Sequence, residues 1–511
     1  MTKPTTTLKH RGNISSLAKI IGTGALLALP LCSQAFQLKF DDSGTQGFVD
    51  TTIALGGIWR TQDPVNGGAS NLNFEQSGEL VSTPFKITVE AGYSKNSMGA
   101  FVRANYIYDA KIQGLDTNVF NIGSEAQDEI GDNFTLLDAF VYGNFAIGNN
   151  MLSVRAGNQV LSWGESTFVG NSINSINPID ATKARGAAVE VKELIIPLPM
   201  VWASLDFEGE FSIDAYYVVQ WTETIIDPVG TFFGTSGTDL VSTGAQPLPI
   251  SATTTLVNGA NDEPGDGGEF GFAYRTVIED AGYMEVAAYF MRYHSHAPFL
   301  QVTAAAASSY QLVYPEDIDL YGASLNVDLP GELGLSLGAE ISYRPDMPLS
   351  IGSSTFGLLA LGGTQDGFLR GDMIQAQATF TYVGGSANPF GANKMTVLVE
   401  PGIVNVSKPD HAAFASNDST AFGYVALLKL EYSNVFFDVN LEPSLTFKHD
   451  AKGTAPGGPF LENRKSLTAA VTATYLTSST VDLGYTKNWG NEAANSAHDK
   501  DFFALTLKHS F

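Results

Sequence analysis

"DFFALTLKHSF", residues 501–511, is the stretch that decides the fold. Phe503, Leu505, Leu507 and Phe511 recur at every second position or its multiple, with Ala504, Thr506, Lys508 and Ser510 between them. A strand sends successive side chains to opposite faces, so the segment has one apolar and one polar face. A soluble domain ordinarily ends in a frayed polar tail. A terminal strand that closes on an aromatic residue needs an apolar surface to lie against.

Working outward, the same alternation runs through the chain. In "FKITVEAGYS", Phe85, Ile87, Val89, Ala91 and Tyr93 oppose Lys86, Thr88, Glu90, Gly92 and Ser94. "FSIDAYYVVQW" sets Phe211, Ile213, Ala215, Tyr217, Val219 and Trp221 on one side, and "VDTTIALGGIW" and "KMTVLVE" repeat the theme. Sustained helical periodicity is scarce. Clusters of Gly, Asn, Asp, Ser and Pro separate the strands, some short and some long, as hairpin ends require.

The other end of the chain supplies the context. Lys3, Lys9, Arg11 and Lys19 lead into an apolar run, Ile20 to Leu31, and Ser33-Gln34-Ala35 offers small residues for a cut after Ala35. This is the layout of a cleaved secretory signal over residues 1–35 and implies export by the general secretory route. The single cysteine, Cys32, falls inside it. The net charge of −25 argues against nucleic acid and against docking by charge to an anionic membrane surface. No later run of 18 apolar residues offers a transmembrane helix.

An exported chain built of half-apolar strands has two main solutions. One is a soluble sandwich or propeller, but no fixed 40–50-residue repeat supports a propeller. The other is a membrane barrel, in which every backbone group pairs internally. The expectation is an all-β fold: a transmembrane antiparallel β-barrel of about 16 strands, within 14–18, over residues 36–511. Trp59, Tyr93, Tyr108, Trp221, Tyr485 and Trp489 suit interfacial girdles. The tail resembles the terminal signal read by barrel-assembly machinery, carried by Phe503, Leu505, Leu507 and Phe511; His509 departs from that pattern.

Several segments resemble one family in order along the mature chain, the proteobacterial domain of unknown function 1302 family of outer-membrane proteins. They include the opening strand closed by Trp59-Arg60, "LSVRAGNQVLSWGESTFVGNSINSINPIDATKARG" within Leu136 to Gly186, "DPVGTFFG" from Asp227, "YHSHAPF" from Tyr293 and the closing "HDKDFFALTLKHSF". Val229 stands where the family pattern suggests cysteine, and His498 to Asp501 alter an Asp-Arg-Asp ending. The resemblance implies a Gram-negative outer-membrane protein that moves small hydrophobic solutes such as sterol-, fatty-acid- or aromatic-ester-like compounds. The partners expected are outer-membrane lipid, the assembly machinery and a periplasmic partner protein.

Functional residues are sought in the lumen. Residues 164–198 are long for a connection and are read as a loop folded inward to gate or plug the barrel, with Trp163, Glu165, Ser166, Asn177, Asp180, Lys183, Arg185 and Glu190 as its key side chains. Asp180 is placed to cap a short helical turn. Lys86, Glu90, Arg103, Asp109, Asp138, Arg155, Asp214, Glu340 and Arg344 fall on or beside polar strand positions and are assigned to the lumen wall. Residues 235–267 and 297–315 are expected as long external loops. Asp262, Glu263, Asp266 and Glu269 form an acidic loop without the calcium-loop spacing. His294 and His296 lack a third metal ligand by sequence. No G-x-S-x-G motif occurs, and neither a catalytic set, a cofactor nor a metal is assigned. A non-transporting anchoring barrel and a barrel hydrolase are the alternatives.

Overall fold

The computed structural model describes residues 36–511 except 41–43, 66–72, 116–121, 185–190, 235–247, 250–254, 305–307, 332–333, 352–361 and 408–417. The expected signal, residues 1–35, lies outside the described residues, as do Arg185 and Glu190.

Strand Thr45–Arg60 begins a series in which each barrel strand pairs antiparallel with the next. The series ends at Phe502–Ser510, which returns to the first strand with Thr52 opposite Ser510 and Arg60 opposite Phe502. The result is a closed barrel of 18 strands, two more than the 16 expected. Two-residue turns at Gly148-Asn149 and Phe437-Asp438 leave the alternation almost unbroken across a hairpin, which hides strands from a period-2 reading. Closure leaves the barrel no unpaired edge.

Connections sort by length onto two rims. Short turns such as 96–97, 148–149 and 208–210 lie at one rim, beside the C-terminal strand's end. The longer connections 61–83, 110–131, 160–197, 219–269 and 294–317 leave and re-enter the barrel at the other. At this rim residues 297–315, expected as a long external loop, contain two short strands. Phe299–Ala304 and Ser309–Val313 form a hairpin in a second sheet with Gly363–Asp366 and Thr255–Asn258, packed over Leu256, Val302 and Tyr310.

The alternation is inverted relative to a soluble protein. Ile341 and Tyr343 face outward and are exposed, while Glu340, Ser342 and Arg344 between them are 4%, 0% and 0% exposed. Phe134, Val141, Ile213, Phe272, Tyr321 and Ile374 continue the outer apolar band, the arrangement a lipid-facing barrel requires. Leu507 faces outward, and Phe503 packs beside Trp59 at 5.9 Å. Trp221 does not join a girdle: it follows the strand Phe211–Val218 and packs on Tyr314 and His296 among the long loops.

The seam between first and last strands is locked by the two family-like motifs. Arg60, fully buried, donates from Nη1 to the Phe74 carbonyl (3.0 Å) and from Nη2 to the Asp499 carbonyl (2.8 Å), with the Asp499 carboxylate at 3.8 Å. Lys500 Nζ donates to the Gly234 carbonyl and the Asn488 N–H to Asp501 Oδ1 at 2.6 Å.

Candidate functional site

The long connection after strand Asn150–Gln159 turns into the barrel. Leu161, Trp163, Val169, Ile173 and Ile176 are buried in one cluster with the inward-facing Met200, Tyr216, Tyr289, Met291, Leu320, Met373 and Val404. Trp163 lies 5.1 Å from the Tyr216 ring and 5.6 Å from that of Tyr289. An apolar loop segment therefore packs against the inner wall at the long-loop end, and the wall it meets is apolar there. Reading inward positions down the strand Ile318–Asp328 gives Ile318, Leu320, Gly322, Ser324, Asn326 and Asp328. The inner face thus passes from apolar at the long-loop rim to polar at the other.

Where polarity begins, two wall carboxylates hold the loop by its backbone. Glu340 Oε2 accepts the N–H groups of Glu165 (2.6 Å) and Ser166 (3.1 Å). Glu400 accepts those of Thr167 (2.8 Å), Phe168 (2.9 Å) and Val169 (2.5 Å). Five successive amides thereby converge on two anions, the charge-assisted geometry of a backbone nest. Gln377 Nε2 (2.7 Å) and Thr379 Oγ1 (2.6 Å) donate to the same carboxylates and fix their orientation. Gly164 adopts φ +86, and a Cβ there would meet Glu340 Oε2 at 2.3 Å, so only glycine brings the backbone this close. Further along, Asn171 accepts from Arg344 Nη1 at 3.1 Å, the Gln375 amide donates to the Gly170 carbonyl at 2.9 Å, and Ser172 donates to Ser342 at 3.0 Å.

The other loop residues singled out from sequence are placed as follows. Glu165 accepts from Asn326 Nδ2 at 2.7 Å, and burial pushes its carboxyl upward from the usual range. The Ser166 hydroxyl bonds the Val169 carbonyl. Asn177 accepts the Leu161 N–H at 3.0 Å and donates to the Ile196 carbonyl at 2.9 Å, closing the loop's base. Asp180 caps the turn Ala181–Lys183, accepting the Thr182 N–H at 3.1 Å, and pairs with Lys183 at 2.9 Å.

The wall charges form three groups. Arg103 bridges Glu90 and Asp138, each at 2.8 Å, and Lys192 of the insert joins Glu90 at 2.9 Å. Lys86 pairs with Glu193 of the insert at 2.6 Å. Asp214 pairs with Arg275, whose guanidinium lies 6.0 Å from the Trp163 ring, and Arg155 stacks on Trp202 at 4.4 Å. Asp109 serves instead as a helix cap, accepting from the backbone of Lys111 and Ile112. The sequence reading missed Glu400, Gln377 and Thr379. Their signal is faint: Glu400 is a lone carboxylate at an inward position of the strand Lys394–Ser407, just before Pro401.

Among the long loops, Glu269 is separated from its acidic neighbours. It is buried, accepts the His294 N–H at 3.0 Å and lies 3.5 Å from His296 Nε2. His294 and His296 follow the strand Met284–Tyr293 rather than lying on it, and their rings engage the Gly267 and Thr222 carbonyls. Among the described residues no group of three His, Cys, Asp or Glu is placed to hold a metal ion. Burial raises Glu269 to about 7 and lowers His296 to about 4. With its folded pKa raised, Glu269 contributes stability at low pH that is lost as pH rises from its unfolded value through 7. His296, with its folded pKa depressed, contributes stability above about 6.5 that is lost as pH falls toward 4. Over about pH 4.5–6.5 the two slopes oppose. Glu269→Gln removes one limb, so the protection of residues 219–224 and 294–297 against amide exchange, relative to the intrinsic rate at each pH, should fall on acidification in the variant while staying nearly flat in the parent.

Solved structures with similar chain paths include OccAB1 of Acinetobacter baumannii, at 10% identity over 91% of this chain and 96% of that one, TM-score 0.48. A BenF-like porin from Pseudomonas fluorescens Pf-5 matches at 8% identity, 91% and 98% coverage and TM-score 0.47. The outer membrane protein opdK from Pseudomonas aeruginosa matches at 11% identity, 91% and 98% coverage and TM-score 0.44. At these scores the likeness adds nothing to the closed barrel that strand pairing already establishes. No curated protein sequence matches the chain. A family described as "Protein of unknown function (DUF1302)" matches residues 16–511. With nearly the whole chain matched, and with the opening and closing motifs meeting at one seam, the chain belongs to the DUF1302 family.

Proposed function

We propose that this barrel is an outer-membrane channel that admits hydrophobic or amphipathic organic compounds, with the inward loop as its gate. The observation that carries the reading is the apolar inner wall at the long-loop rim, formed by Ile318, Leu320, Met291, Met373 and Val404 around Trp163. A water-filled general pore gains nothing from such a lining, whereas an apolar solute entering from the long-loop side would exchange water for it. On this reading the long loops face the exterior, and the outward Phe503, Leu505 and Leu507 meet lipid and the assembly machinery. The polar lower wall, with Glu340 and Glu400 holding the gate, separates this vestibule from the periplasmic side.

Leu320→Asn tests the vestibule. It places an amide where the buried side chain contributes about 1.5–3 kcal/mol of apolar burial. Block of the single-channel current by methyl hexanoate should weaken about tenfold, and the conductance in salt alone should rise, because Leu320 shares its buried cluster with the gating loop. Equal block of parent and variant would remove the vestibule from the account.

A further inference from the structure

One arc of the inner wall departs from the gradient seen down Ile318–Asp328. Val102 and Val141 face outward and are exposed, which turns Phe101 and Phe140 inward. Phe48, Phe101 and Phe140 share one row: Phe48 opposes Gly92 of the strand Pro84–Lys95, Gly92 opposes Phe101, and Phe101 opposes Phe140. Their rings follow one another at 6.5 and 5.6 Å between centroids. Gly92 leaves them room, since a Cβ there would run into the Phe48 ring. The Arg155 guanidinium continues the series, 5.8 Å from the Phe140 ring and 4.4 Å from that of Trp202. Trp202 in turn packs against the buried cluster that holds Trp163. Planar groups therefore run from the gate to Phe101 and Phe48, near the short-turn ends of their strands.

Arg155 is the member of this series with capacity to spare. Among the described residues it is the one arginine with neither a hydrogen bond nor an ion pair. The carboxylates whose fields reach it, Asp138 and Asp214, are held by Arg103 and Arg275. The adjoining network is balanced, Arg103 and Lys192 against Glu90 and Asp138, so the charge of Arg155 is left over. Rings flank the guanidinium from the strands on both sides, yet none of its nitrogens is among the closed-off atoms that lack a partner. The edge that carries five N–H donors is open to the lumen.

From this arrangement, and resting on the channel reading above, we propose that Arg155 and the Phe140 and Phe101 rings form a binding station below the gate for a small aryl-alkyl carboxylate. The carboxylate takes two N–H groups of the guanidinium edge, a planar two-point contact that an ammonium does not supply. The ring of the solute lies against Phe140 and Phe101, which present offset or edge-on contacts. A guanidinium stacks through its faces and donates through its edge at once, so the anion binds without displacing Trp202. The station carries the apolar lining past the gate and sorts solutes by their head group.

The test is current block of the full-length barrel in planar bilayers by 3-phenylpropanoate and by its uncharged methyl ester, each added on the short-turn side. The acid should block at least about tenfold more tightly than the ester, as one charge-assisted contact implies. Arg155→Gln should bring block by the acid down to that by the ester, and Arg155→Lys should restore only part of the difference. Phe101→Ser should weaken block by the acid several-fold with a preference over the ester still present, and it supplies the second readout should the Arg155 variants assemble poorly. Equal block by acid and ester in the parent, an acid preference that survives Arg155→Gln, or block indifferent to Phe101 overturns the inference and leaves the channel standing. A conducting barrel blocked by neither compound, nor by methyl hexanoate from the long-loop side, overturns the channel reading as well.

Discussion

Replacing Glu340 and Glu400 together by alanine should raise the single-channel conductance several-fold without dismantling the barrel. The two carboxylates accept the five amides of residues 165–169. Leaving buried donors without acceptors costs about 1–3 kcal/mol each, so the loop loses the reason to remain against the wall. The wall keeps its ladders, since Glu340 and Glu400 lie within long strands paired on both sides. Glutamine at both positions keeps one acceptor but loses the charge, and should give an intermediate conductance. A folded double-alanine variant that conducts like the parent would mean the loop is held by its apolar contacts alone.

Arg60→Ala should cost about 3–5 kcal/mol, the range for removing one partner of a buried ion pair. The guanidinium satisfies the Phe74 and Asp499 carbonyls, faces the Asp499 carboxylate and lies 5.4 Å from the Phe232 ring, all in the interior. Its loss takes the guanidinium away from the buried Asp499 carboxylate, which keeps the Val65 N–H at 3.2 Å, at the junction of first and last strands. The expected readout is a lower temperature for loss of the compact, heat-modifiable gel band. Arg60→Lys should recover little, because an ammonium cannot reproduce the planar two-sided donation. A variant as heat-resistant as the parent would show that the strand ladders alone hold the seam.

The barrel was legible in the sequence because its strands are long and their outer faces strongly apolar. "FKITVEAGYS" and "DFFALTLKHSF" announce which side chains point outward, and Val89, Tyr93 and Leu507 do so. Residues 164–198 stand out in the sequence by their length and apolar, glycine-punctuated composition. The anchors of that loop are only partly legible. Glu340 and Arg344 stand out as charges in a strand, but the amides they and Glu400 meet are 170 to 230 or more residues away. Backbone donors carry no mark in a sequence. Likewise, Trp221 looks like a girdle residue by parity, yet the strand has already ended. Residues 297–315 look like an alanine-rich loop because strands as short as Phe299–Ala304 and Ser309–Val313 show too few alternations to be counted.

The most direct test of the account is single-channel recording of the wild-type barrel in planar bilayers, first in salt alone and then with methyl hexanoate on each side in turn. The account predicts small, intermittent current steps, reversibly blocked by the solute from the long-loop side and much less from the other. A large steady current indifferent to the solute would contradict it, because the lumen would then be neither gated by residues 161–177 nor lined for an apolar guest.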